Sequence, residues 1–420
     1  MRIWGAAIVA CVLLALAPTA HAGRWTESRT VESPDPPFGP TIAVNSRGDA
    51  VLAWSGPATV WVALAHRGGE FARPQALPAS PGSDLEVDID DRGNAIVGWT
   101  YSDGTVPEEP ELREEGCCIR LAGAVKPAGR SAFGPVRTMS PGGQDIALWD
   151  LAAGPDGGGF LWSLGIPEIG DDLHTAFGTS RGAVGKDRRI MQAGRGYFES
   201  ASILIRRGGT ASLAVSRDDG ALFERVRTRG GRFGATRTIA RLRGSDSLRG
   251  RWLFGADREF AAIGYFDPER WSRRAPGGTF RTIRDVSSRG ADGMDVAPDG
   301  SALALAETGE APSLWATGLG PSGTRFSTPK RIAKHSRWAS LDIVPVAANR
   351  GRGMAVWQAS PETGAGRVYA RRLLRGVPVG ATRRMGGSSA HSPTAGASAS
   401  GRTYVVWAEG GRITYARYVP

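Results

Sequence analysis

The sequence predicts an all-β chain folded as a β-propeller of about eight four-stranded blades, with seven the alternative count. Three observations predict it. A glycine turn leading into a short apolar strand recurs roughly every 50 residues. A second pattern, two apolar residues separated by five mostly polar ones, recurs in phase with the first. One copy of that second pattern stands at the N-terminus, ahead of the first apolar strand, while the final repeat stops short of its own copy.

The chain opens with a segment unlike the rest. Arg2, an apolar run over 3–17 and Ala20-His21-Ala22 make residues 1–22 a secretory signal, leaving 23–420 as one propeller domain. The run is short for a membrane span, Pro18 follows it, and no later stretch is long and apolar enough to cross a bilayer. An acylation site at Cys11 is the alternative. The expected location is therefore outside the cell, as a soluble monomer.

The repeated apolar strand occupies 48–54, 93–99, 157–162, 209–215, 259–265, 300–306, 351–357 and 401–407. About five apolar residues without alternation describe a strand buried on both faces. Trp54, Trp99, Trp162, Trp357 and Trp407 end five of the copies, which marks them as packing residues between blades. A short strand precedes each copy, as at 41–44 and 294–297, and a third follows, as at 60–65 and 368–372. The outer strand is the second pattern, at 71–77, 133–139, 184–190, 233–239, 280–286, 326–332 and 379–385. Pro74, Pro135 and Pro329 fall in it, as expected of a sheet edge that needs no ladder donor. Residues 25–31 supply the outer strand that the last repeat lacks, so the N-terminal strand closes the ring. A tandem pair of β-sandwiches would not give in-phase copies with a permuted first strand.

Charge is the remaining signal. The net charge is +11, and Lys126, Lys186, Lys330 and Lys334 are the only lysines among 52 basic residues. Arginine runs along the whole chain, so it reads as a compositional bias rather than a nucleic-acid footprint. In a four-stranded meander the 1–2 and 3–4 turns share one face of the disc. The 2–3 loops share the other with the links between blades. Sorted this way, acids gather in the 2–3 loops and arginines in the opposite turns. The longest 2–3 loop, 100–118, carries Glu108, Glu109, Glu111, Glu114 and Glu115 and ends in Cys117 and Cys118. With Asp171 and Asp172 of the next repeat, these glutamates are the candidate ligand-binding residues. Calcium is the cation such carboxylates would hold. Outside the cytoplasm Cys117 and Cys118 are expected to form a vicinal disulfide. A second cluster runs from Arg225, Arg227, Arg229 and Arg232 to Arg251. Its alternating members share a strand face and offer a stripe for polyanions, or alternatively a guard against edge pairing. Trp61, Trp271, Trp315 and Trp338 stand off the packing position and are candidates for ligand contact.

The repeat grammar resembles that of secreted bacterial propellers of the broad sialidase-like superfamily. Residues 216–223 approach the Ser-x-Asp-x-Gly-x-Thr-Trp box of that group, with Ser216, Asp218 and Gly220 in place but Leu222 where Thr is expected. The box also falls between the second and third strands rather than in the third–fourth hairpin. What the resemblance implies is a glycan-processing hydrolase, whose site would need three arginines, a Tyr paired with an acid, and an Asp. Tyr265, followed by both Asp267 and Glu269, is the candidate Tyr for such a pairing, and it also holds a blade-packing position. No nucleophile–base set stands out among His66, His174, His335 and His391. The expected function is non-catalytic binding of an extracellular glycan, envelope polymer or protein through one face of the disc, with the hydrolase as the alternative. An acid pair beside a Tyr in the central mouth would favour the enzyme, and an apolar mouth the binder.

Overall fold

A computed structural model of the chain describes residues 23–78, 82–103, 118–140, 145–165, 171–194, 196–206, 208–241, 249–255, 258–264, 270–274, 281–283, 292–308, 313–334, 342–359 and 366–420. The expected signal segment, 1–22, lies outside them. The strands form eight antiparallel meanders, each one blade. Blade 1 is Phe38–Val44, Ala50–Ser55, Thr59–Ala65 and Gln75–Pro78; blade 2 is Ser83–Ile89, Ala95–Ser102, Ile119–Lys126 and Arg137–Thr138. Blade 3 is Ile146–Ala152, Gly159–Leu164, Asp172–Phe177 and Arg188–Gln192; blade 4 is Phe198–Ile205, Ala211–Arg217, Ala221–Arg227 and Arg237–Arg241. Blade 5 is Arg249–Gly255, Arg258–Gly264, Arg270–Arg274 and Arg281–Ile283; blade 6 is Gly293–Val296, Ala302–Thr308, Ser313–Leu319 and Lys330–Lys334. Blade 7 is Ile343–Ala348, Arg352–Ala359, Arg367–Leu374 and Val377–Arg384, and blade 8 begins with His391–Ala397, Thr403–Glu409 and Arg412–Val419. Its outer strand comes from the other end of the chain, as Arg24–Trp25 and Arg29–Val31. The fold is a β-propeller of eight blades.

The closing register is explicit. Trp25 faces Tyr418, and Arg29, Thr30 and Val31 face Tyr415, Thr414 and Ile413. The Thr26 hydroxyl accepts from the Arg417 amide at 3.0 Å, across 391 residues of chain. Apolar packing seals the same seam, where Leu52 and Trp54 of blade 1 share a cluster with Tyr404, Val406 and Tyr415 of blade 8.

One turn recurs between the first and second strands of several blades. In blade 1 the Asn45 amide donates to the Asp49 carbonyl at 2.9 Å, and Gly48 donates back to the Asn45 carbonyl. The same pair of bonds recurs at Asp90–Asn94 in blade 2 and at Ala297–Ser301 in blade 6. The turn needs a left-handed residue, and the repeated glycine supplies it, with φ of 89° at Gly48 and 85° at Gly93. The second strand that follows is buried along its length in blades 1 and 3. All five tryptophans that end this strand are fully buried, as their fixed place in the repeat predicts. The core is thus a ring of interfaces between neighbouring blades. One example joins Val60 and Leu77 of blade 1 to Val97, Trp99 and Phe133 of blade 2.

Proline departs from its expected place. Pro74 and Pro329 stand immediately before the outer strands, and Pro135 two residues before one, so they lead into the edge rather than lie within it. The first strand also tolerates proline, at Pro40, Pro345 and Pro393, because it is the sheet's other edge. These first strands surround a central cavity of about 860 Å³, walled by Ile42, Ile89, Ile205, Met294, Val344 and Ala395 from six different blades.

Candidate functional site

Meander topology gives the disc a hairpin face, made of 1–2 and 3–4 turns, and a link face, made of 2–3 loops and the connections between blades. On the link face the described acids brace these segments. Asp103 pairs with Arg120 at 2.8 Å, and Asp145 accepts from the Ile119 amide at 2.6 Å. Glu409 accepts from the Trp407 indole at 2.8 Å and from the Gly387 amide at 2.6 Å. Asp171 and Asp172 lie at this face but are only 6% and 5% exposed. Asp171 accepts from the Phe198 amide at 2.9 Å, and Asp172 pairs with Arg189 at 3.1 Å. Burial pushes Asp171 above the usual carboxylate range, with Asp218 and Asp172 adding to it against the Phe198 amide. Neither presents a free carboxylate to solvent. Glu108, Glu109, Glu111, Glu114, Glu115 and Cys117 lie outside the described residues. Cys118 is buried and disulfide-bonded.

The hairpin face is not purely basic, which corrects the sequence-based sorting. Asp49, Asp90 and Asp299 sit there, turned onto backbone amides. Asp49 receives the Arg67 amide at 3.1 Å, Asp90 the Asn94 amide at 2.9 Å and Asp299 the Arg350 amide at 2.7 Å. They brace the turns between the first and second strands of blades 1, 2 and 6. Among the tryptophans expected to contact ligand, Trp61 donates to Asp35 at 3.2 Å and packs against the closing seam, and Trp315 is half-buried in the third strand of blade 6. Trp271 falls in the third strand of blade 5. Trp338 and the segment with Tyr265, Asp267 and Glu269 lie outside the described residues.

The channel wall contains a set of carboxylates that sequence reasoning missed. Asp88 accepts from its neighbour, the Ile89 amide, at 2.7 Å and from the Ala153 amide of blade 3 at 2.8 Å. Asp150 repeats this with Leu151 and, on blade 4, Ile203, both at 2.8 Å. Asp295 repeats it with Val296 at 2.8 Å and, on blade 7, Ala347 at 2.7 Å. Each therefore staples its own first strand to that of the next blade. For Asp150 and Asp295 the sequence signal is a lone Asp in a first strand without other charge, whereas the strand of Asp88 also carries Asp84 and Glu86. Burial pushes Asp150 up to about 7, with the Asp88 charge adding and the two amides opposing. Asp88 is raised by the same burial.

A different arrangement lies on the rim between blades 3 and 4. A groove of about 870 Å³ opens on the hairpin side, lined by Lys186, Arg188, Arg189, Arg225, Arg227 and Arg232 with Phe177 and Phe233. Strand direction explains the convergence. The third strand of each blade runs toward the hairpin face and its fourth strand runs back, so the ends of four strands meet there. Arg225 is structural: its guanidinium donates to the Gly234 and Phe233 carbonyls and crosses to the Ile190 carbonyl of blade 3. Arg371 of blade 7 makes the same crossing to Ile332 of blade 6, at 2.6 Å. Arg227 donates to the Gly231 carbonyl at 2.9 Å and lies 3.8 Å over the Phe177 ring. Burial lowers its pKa, and the nearby Arg188 charge lowers it further.

Lys186, Arg188 and Arg232 have no hydrogen-bond or ion-pair partner among the described residues. The nearest acid in sequence, Asp187, faces His174 at 3.3 Å. Arg229, expected to share a strand face with Arg225 and Arg227, instead lies past the strand end and pairs with Asp156 at 3.4 Å.

No protein-family model matches this chain, and no curated protein matches it. Among solved structures it is similar to a protein of unknown function from Dyadobacter fermentans, at 11% identity over 94% of this chain and 99% of that one, with a TM-score of 0.42. It is also similar to YCF48 bound to D1 peptide, at 11% identity over 94% and 95% of the chains and a TM-score of 0.43. The BP39L lectin from Burkholderia pseudomallei is similar at 10% identity, over 82% of this chain and all of that one (100%), with a TM-score of 0.48.

Proposed function

We propose that this protein is an exported, non-catalytic propeller that binds an extracellular ligand through the hairpin face of the disc. The observation that carries the reading is the contrast in how charge is held. In the first strands around the cavity, both oxygens of Asp88, Asp150 and Asp295 accept backbone amides, so none of these three carboxylates is placed for proton transfer or attack. No tyrosine lines the cavity among the described residues. In the groove between blades 3 and 4, Lys186, Arg188 and Arg232 stand without carboxylate partners among the described residues, the state expected of groups kept for an external anion. A rigid ring of eight blades holds such groups at fixed spacing, which lowers the ordering cost of binding.

The test is an array of glycans and cell-wall polymers probed with residues 23–420, with and without calcium, alongside a reducing-end release assay on every bound species. Binding without release supports the reading. Release of sugar from a bound glycan overturns the non-catalytic part, and silence on every surface overturns glycan and envelope-polymer binding. Calcium-dependent capture abolished by changing Glu108, Glu109, Glu111, Glu114 and Glu115 to Gln would move the site to the 100–118 segment.

A further inference from the structure

We infer that the groove between blades 3 and 4 is the binding site for a linear acidic polysaccharide; this rests on the binding reading above. The groove draws cations from two blades with no acid in its lining. Arg227 is partly desolvated over Phe177, and Arg188 is close enough to penalise its charge further. Holding like charges together against an aromatic floor destabilises the empty protein, and an oxyanion seated between them removes that cost.

Volume and lining narrow the ligand. At about 870 Å³ the groove has room for a chain segment rather than a single ion. Arg227 covers the Phe177 ring, and Phe233, whose ring centroid lies 6.3 Å from that of Phe177, continues it as a short apolar strip between the cations. A sugar ring offers C–H faces to such a strip and carries its carboxylate at the ring edge, within reach of a guanidinium fork. A bare polyphosphate offers oxyanions but nothing for the apolar strip. Arg225 keeps the two walls in register through its bonds to the Ile190 and Gly234 carbonyls, so it positions the groove without contacting the ligand.

The experiment measures binding of polygalacturonate, inorganic polyphosphate and neutral dextran to residues 23–420 by calorimetry at low and high salt. Polygalacturonate should bind, weaken as salt rises and outcompete polyphosphate, while dextran should not bind. Arg188→Glu combined with Arg232→Glu should weaken polygalacturonate binding about tenfold or more with the melting temperature unchanged. Arg92→Glu, an exposed cation on the same face but in blade 2, should leave affinity within about twofold. Equal loss from Arg92→Glu and from the groove pair would overturn the site in favour of general charge attraction. Full-strength binding by the groove pair would overturn the site while leaving the binding function intact. Preference for polyphosphate would overturn the saccharide. Failure to bind any of the three, with capture of another polymer on the array, would overturn this inference alone. Silence in both experiments would take the polymer-binding reading with it.

Discussion

The channel wall and the rim groove both carry charge against apolar surface, yet they treat it in opposite ways. At the channel, each of the three staple carboxylates meets two amides, one from its own strand and one from the next blade. At the groove, Lys186, Arg188 and Arg232 meet no partner among the described residues, and there Arg227 meets carbonyl and aromatic surface. The first arrangement joins blades, and the second leaves electrostatic demand for something outside the chain. Charge density alone does not separate them; the identity of the partner atoms does.

The sharpest way to break this contrast is at the staples. Asp150→Ala orphans the Leu151 and Ile203 amides, and unfolding in urea should show a loss of about 3 kcal/mol. A loss under about 1 kcal/mol would mean that the amides find other acceptors. Asp150 also predicts a pH signature. Its folded value of about 7 stands above the ordinary 3.8, so the charge carries no cost below 3.8 and its full cost above 7. Stability of the native protein relative to Asp150→Asn should therefore fall as pH rises from about 4 to 7, read from melting curves across that range. A flat difference would show that the two amides hold the carboxylate ionised throughout.

Arg225→Ala tests the boundary between the two regions, because it lies in the groove but binds carbonyls. Chemical denaturation should register a loss of about 1–2 kcal/mol. The smallest effect belongs to Lys186→Ala and Arg188→Ala, each expected within about 0.5 kcal/mol of the native protein. A large loss at either would place it with the staples rather than with the groove.

Legibility followed the same division. The second strands could be read directly, since an unbroken apolar run after a left-handed glycine has few alternatives, and Trp54 and Trp407 lie where the repeat puts them. Closure was legible because 25–31 matched a pattern missing from the last repeat. The groove was only half legible. Arg225 and Arg227 stand in an obvious run, but Lys186 and Arg188 join them from the preceding blade, and a linear scan does not see that adjacency. The staples were missed because Asp150 and Asp295 look like interrupted periodicity, and Asp88 like one of several strand acids, until the amide of the next blade is beside them. Asp171 misled for the opposite reason: its loop position suggests exposure, while the link to Phe198 buries it.

The pairing of Arg24 with Val419 has a practical geometric consequence. Both described ends of the ring emerge at one blade, and in a circle of eight that blade stands nearly across the diameter from the groove. A label, bead or surface coupled at either end would hold the disc by one rim and turn the groove outward on the other. Immobilised protein should then bind polymer as readily as protein in solution, whichever end is tethered.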